Sequence, residues 1–103
     1  MYFSEKEEKI VRTFYNNIDR YEKKTMILKW DNDSQVIANF DTCFENDNEF
    51  DVDDARYEEY ISFVFKLIEA FENPPIYITE DKYFCVDYRN FPDEILVDGK
   101  KIN

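Results

Sequence analysis

The chain contains no histidine. That removes the side chain most often used as a general base near neutral pH, and the commonest metal ligand. Ser-His-Asp and Cys-His nucleophilic arrangements and ordinary zinc sites are therefore excluded. Glycine occurs once and proline three times, so no flexible or proline-rich linker is present. The two cysteines, Cys43 and Cys85, lack CxxC spacing and read as buried thiols in a reducing compartment. No apolar run approaches the ~20 residues that span a bilayer. The start, MYFSEKEEKI, lacks the basic and apolar stretches of a secretory signal. The expected location is the cytoplasm. No motif asks for a cofactor or a dedicated metal. An enzyme working with carboxylates alone would need a larger cleft than one small domain offers, so no catalytic role is expected.

What the chain does have is acid and rings. Its 103 residues carry 24 Asp and Glu against 13 Lys and Arg, for a net charge of −11, yet 44% are hydrophobic and 18% aromatic. That many rings can fill a core, so residues 1–103 read as a single ordered domain. The charge is unevenly placed. Residues 1–24 hold five acids and six bases, and residues 60–103 hold eight acids and five bases. Residues 31–59 hold eleven acids and one base, Arg56, a net of −10. Such a field repels nucleic acid and membrane surfaces and attracts basic proteins or cations.

Ser4-Glu5-Lys6-Glu7 has the form of a capping box, with the Ser4 hydroxyl serving the Glu7 amide and Glu7 reaching back. Ile10, Val11, Phe14, Ile18 and Tyr21 then recur on one helical face, opposite Glu8, Arg12, Asn16, Asp19 and Lys23. The spacing predicts a helix from about Glu5 to about Lys23. Thr25 to Trp30 is rich in β-formers, Asp31-Asn32-Asp33 offers a turn, and Val36, Ala38, Phe40 and Phe44 alternate with Ile37, Asn39, Asp41 and Cys43. That pattern predicts a hairpin. Tyr57 to Phe71 fits both a strand and a helix by periodicity; its aromatic and β-branched density favours the strand. Asn73-Pro74-Pro75 ends it. Tyr83 to Tyr88 reads as a strand, Asn90 to Asp93 as a turn, and Asp98-Gly99 as the turn of a closing hairpin after Ile95-Leu96-Val97. The expected fold class is α+β: an N-terminal helix packed on an antiparallel sheet of hairpins.

The densest acid lies in CFENDNEFDVDD, Cys43 to Asp54, half of whose residues are acidic. Three uses are open. A calcium loop starting at Asp47 would place Asp47, Glu49, Asp51, Asp53 and Glu58 at ligand positions, but puts Val52 where the sharp turn needs glycine. The acids could simply solvate a connection between strands. Or they could steer a basic protein onto a surface anchored by neighbouring rings. The candidate partner-binding residues are Asp47, Glu49, Phe50, Asp51, Asp53, Asp54, Tyr57, Glu58 and Glu59.

FDTCFENDNEFDVDDARYEEYISFVFKL, Phe40 to Leu67, together with NFPDEILVDGKKI, Asn90 to Ile102, resembles a group of small acidic proteins from low-GC Gram-positive bacteria. In size, acidity and want of a secretion signal the chain is similar to bacterial immunity proteins. That resemblance implies an inhibitor that binds a cognate toxin, such as a basic nuclease, inside the producing cell and occludes its site.

Overall fold

The computed structural model describes residues 4–22 and 24–103. The first helix, α1, spans Glu5–Asn17. Ser4 caps it, its Oγ accepting from the Glu7 amide at 3.2 Å. Glu5, Glu7 and Glu8 in the first turn suit the positive end of the helix dipole. Glu5–Lys9 and Glu8–Arg12 add i,i+4 ion pairs on the solvent side, each contributing little in water. The helix ends earlier than the spacing predicts. Asn17 leaves the helical region (φ −111°, ψ 3°) and its side-chain Nδ2 donates back to Thr13 O at 2.8 Å. A 3-10 turn, Ile18–Arg20, follows; the expected end at Lys23 lies outside the described residues.

Among the described residues six strands form one antiparallel sheet: β1 Thr25–Lys29, β2 Gln35–Asp47, β3 Glu59–Phe71, β4 Tyr83–Val86, β5 Glu94–Val97 and β6 Lys100–Lys101, in spatial order β4-β3-β2-β1-β5-β6. The α+β expectation holds, and the segment read as strand or helix is the long strand β3. Both short turns work as their residues suggest. Asp33 takes a left-handed φ of 68° between β1 and β2, where Asn32 Oδ1 accepts from the Ser34 amide at 3.1 Å. Asp98 and Gly99 are both left-handed, at 53° and 80°, which matches the twist of the β5–β6 hairpin.

The helix presses Val11 and Phe14 onto one face of the sheet. Phe14 meets Phe40, Phe63, Phe65 and Phe91 with ring centroids 5.4–6.1 Å apart. Met26, Leu28, Trp30, Val36, Ala38, Ile61, Phe84, Val86, Ile95, Val97 and Ile102 join that layer. Ile10, expected on the core stripe, is instead 39% exposed at its edge.

Two irregularities break the long β2–β3 ladder, at Ile37/Ala38 and Phe40/Thr42. At the second, Asp41 has no partner, so side chains beyond it exchange faces. Phe44, which alternation from Phe40 would bury, therefore stands 45% exposed, and Cys43 turns half-buried toward the helix side. Both thiols are free. Cys85 is exposed on β4 rather than buried, because it alternates with Phe84 and Val86, which take the core face.

Candidate functional site

The β2–β3 hairpin overhangs its neighbours. β1 pairs with β2 only from Gln35 to Asn39, and β4 pairs with β3 only from Phe63 to Lys66. The distal half of β2 and the start of β3 thus carry the acidic connection, 48–58, away from the packed layer. The molecule is 43 Å along its longest axis.

The connection is folded rather than loose. Asn48 ties its two ends: its amide N–H donates to Glu58 O at 3.2 Å, its Oδ1 accepts from the Glu58 amide at 3.2 Å, and its Nδ2 donates to Arg56 O at 2.7 Å. Asp47 Oδ1 accepts from the Glu49 amide at 2.7 Å, and Glu49 adopts a left-handed φ of 69°. Two backbone bonds, Asp54 N–H to Asp51 O and Tyr57 N–H to Asp54 O, close successive turns.

The sequence treats these acids as equivalents; the fold does not. Asp54 is bound on both oxygens by the Arg56 guanidinium, at 3.0 and 2.9 Å, and takes the Arg56 amide at 2.8 Å. Those hydrogen bonds hold its carboxyl below the usual range. Arg56 in turn stacks over Phe50, 4.1 Å from the ring centre. Glu58 receives the Tyr88 hydroxyl. Glu59 accepts from Tyr57 Oη at 2.7 Å, a bond that lifts the Tyr57 phenol to about 12, with partial desolvation and the charges of Glu59 and Asp47 adding. Asp47, Asp54, Tyr57, Glu58 and Glu59 thus shape the hairpin end.

Glu49, Asp51 and Asp53 differ. All three are exposed, and among the described residues no hydrogen bond or ion pair engages their carboxylates. Phe50 and Val52 stand between them, Val52 75% exposed. The tip is an acidic surface with an apolar centre. The calcium arrangement does not form: among the described residues no group of three or more His, Cys, Asp or Glu side chains could hold a metal ion. Of the five ligand positions, Asp47 and Glu58 are already engaged by the Glu49 amide and the Tyr88 hydroxyl.

The acid field is also divided. Asp31 and Asp33 sit in the β1–β2 turn, beside the end of β3, where Gln35 pairs with Phe71. They join Glu69 and Glu72 at the opposite end of the long hairpin from Glu49, Asp51 and Asp53. A continuous acidic stretch in sequence has become two poles.

One residue escaped the pattern. Glu7 does not reach back to close the capping box. It is 1% exposed and its Oε2 accepts from the Ile61 amide at 2.7 Å. Ile61 lies on β3 beyond the end of β4, so this carboxylate occupies the place of a missing strand partner. Burial raises its pKa, the Ile61 amide opposes that, and the charges of Glu58 and Asp87 add to the rise. Asp87 is itself paired with Arg89 at 2.8 Å, and the Arg89 guanidinium lies 4.3 Å over the Tyr60 ring. No local signal marks Glu7, because its partner is 54 residues away.

Among the described residues no helix is long and apolar enough to cross a membrane. The family model of the cognate immunity protein YxxD matches residues 9–102 of the chain. No curated protein and no solved structure matches it.

Proposed function

The chain belongs to the family of the cognate immunity protein YxxD, and on that premise we propose that it is a cytoplasmic inhibitor that binds a basic toxin through the β2–β3 tip and blocks the toxin's site. An immunity role points to an inhibitor rather than an enzyme. The observation that carries the reading is the exposed set Glu49, Asp51 and Asp53 around Phe50 and Val52. Unpaired carboxylates on a protein of net charge −11 raise the encounter rate with a cationic partner, and apolar groups at their centre exclude water once the partner is seated. A nucleic-acid or membrane partner fits this charge poorly. Asp47, Asp54, Tyr57, Glu58 and Glu59 would act from behind, by holding the tip in shape.

The test is triple charge reversal, Glu49→Lys, Asp51→Lys and Asp53→Lys, assayed against the cognate toxin. The association rate should fall at least tenfold at low salt, and its salt dependence should flatten. Cells producing the toxin should lose protection. Unchanged association kinetics in a folded triple variant would remove the tip from the interface.

A further inference from the structure

The overhang of β2 leaves a second feature, and it concerns the backbone rather than the acids. The Trp30 amide bonds Ser34 O, so in the β1–β2 ladder Val36 and Ala38 direct their N–H and C=O groups at β1. Beyond the irregularity at Asp41 the phase changes. Thr42, Phe44 and Asn46 then bond toward β3, and Cys43, Glu45 and Asp47 point their backbone groups to the side where β1 has ended. At Asp47 those groups are occupied: Asn46 Oδ1 accepts from its amide at 2.9 Å, and its carbonyl accepts from Tyr60 Oη at 3.1 Å. At Cys43 and Glu45, among the described residues, nothing engages them.

The other two borders of the sheet are shorter and partly capped, although among the described residues the outward backbone groups of Cys85 on β4 are not engaged. On β4, Tyr83 O accepts from the Thr79 amide at 2.9 Å and the Tyr83 amide donates to Thr79 Oγ1 at 3.1 Å. Just past β4 the Asp87 amide donates to Asn90 Oδ1 at 2.8 Å. β6 is two residues long and both are lysine. Short charged edges and local capping are common protections against stray strand pairing. The distal edge of β2 is extended, with Asp41, Thr42, Phe44, Glu45 and Asn46 exposed and Cys43 half-buried.

We propose that the partner toxin adds a strand to this edge, in antiparallel or parallel pairing along residues 41–46, and that the strand is basic. The proposal rests on the inhibitor reading above and deepens it. The side chains select the occupant. The edge carries Asp41, Glu45 and Asp47 and no base. A second copy pairing antiparallel about Cys43 would set Asp41 against Glu45, and pairing about Glu45 would set Glu45 against itself. Like charges directly opposite destabilise a pair, whereas Lys or Arg on the incoming strand would be favoured. Phe44, exposed on the face away from Glu45, gives the added strand an apolar neighbour. Main-chain bonds would supply affinity and side chains selectivity, as in other strand-addition complexes.

The experiment uses the full chain and the cognate toxin carrying an inactivating active-site substitution. Amide hydrogen exchange is followed with and without toxin, and affinities are measured for wild type, Glu45→Gln and Glu45→Pro. Proline at 45 deletes an outward N–H while leaving the β2–β3 ladder intact. The expected result is exchange at Cys43 and Glu45 slowed at least tenfold in the complex. Affinity should fall at least tenfold for Glu45→Pro and less for Glu45→Gln. A complex that forms without slowing at those two amides overturns the strand addition while the inhibitor reading stands. A wild-type chain that neither binds nor protects against the toxin overturns both. If Glu45→Pro fails to fold, the exchange data on wild type decide alone.

Discussion

Glu7 allows the reasoning to be tested without a partner. Its carboxylate is buried and satisfies the Ile61 amide at 2.7 Å. Replacing it with alanine leaves a buried N–H unpaired, at a cost of about 1–3 kcal/mol. The deleted Cγ methylene adds about 0.8 kcal/mol. Glu7→Ala should therefore lose about 2–4 kcal/mol at neutral pH, less whatever is recovered by removing a buried charge beside Glu58 and Asp87. Glu7→Gln keeps an acceptor for Ile61 and discards the charge, so at pH 7 it should match or exceed wild type. The pH dependence has a definite direction. The folded state raises the Glu7 pKa above 4.5, so it binds the proton more tightly than the unfolded chain does. The stability this gives is full below about pH 4.5 and is lost as pH rises through the folded value. Urea midpoints for the three proteins across pH 4.5–7.5 supply the assay. Wild type should gain on Glu7→Gln as pH falls. A Glu7→Gln variant as unstable as Glu7→Ala at pH 7 would refute the argument, because it would make the charge, not the acceptor, the stabilising element.

Two further outcomes follow from the packing and the tip. Phe14→Ala removes the ring that joins the helix to Phe40, Phe63, Phe65 and Phe91, and should cost about 3–5 kcal/mol by chemical denaturation; a loss below 1 kcal/mol would mean the helix is not seated on the sheet as described. Tyr57, held by Glu59, should ionise near 12 rather than 10 in an ultraviolet titration. Its contribution to stability is present below pH 10 and declines as pH rises toward 12. Glu59→Gln should bring that titration back toward 10, and an unaltered curve would disprove the Tyr57–Glu59 bond.

Elements whose causes are local can be read from neighbouring residues alone. Ser4 can cap a helix because its hydroxyl reaches an amide three residues on. Asp98-Gly99 can turn a hairpin because both residues accept positive φ. Alternation placed Val36, Ala38 and Phe40 in the core, and the acid count located the charged hairpin end. Tertiary structure decided the rest. Periodicity could not separate strand from helix at Tyr57 to Phe71, since either form buries an apolar face; the ladder of Phe63 and Phe65 against Cys43 and Phe40 settled it for Glu59 to Phe71. The extra residue Asp41 reversed the faces beyond it and exposed Phe44. The acids separated into two poles, and into bound and unbound groups, because a long hairpin keeps the two ends of each strand apart and only some carboxylates meet Arg56, Tyr88 or Tyr57. Glu7 is the sharpest case. A glutamate in a first helical turn looks like a solvated residue stabilised by the dipole. Its burial depends on where β4 stops, leaving the Ile61 amide without a strand partner, and no local pattern encodes that distance.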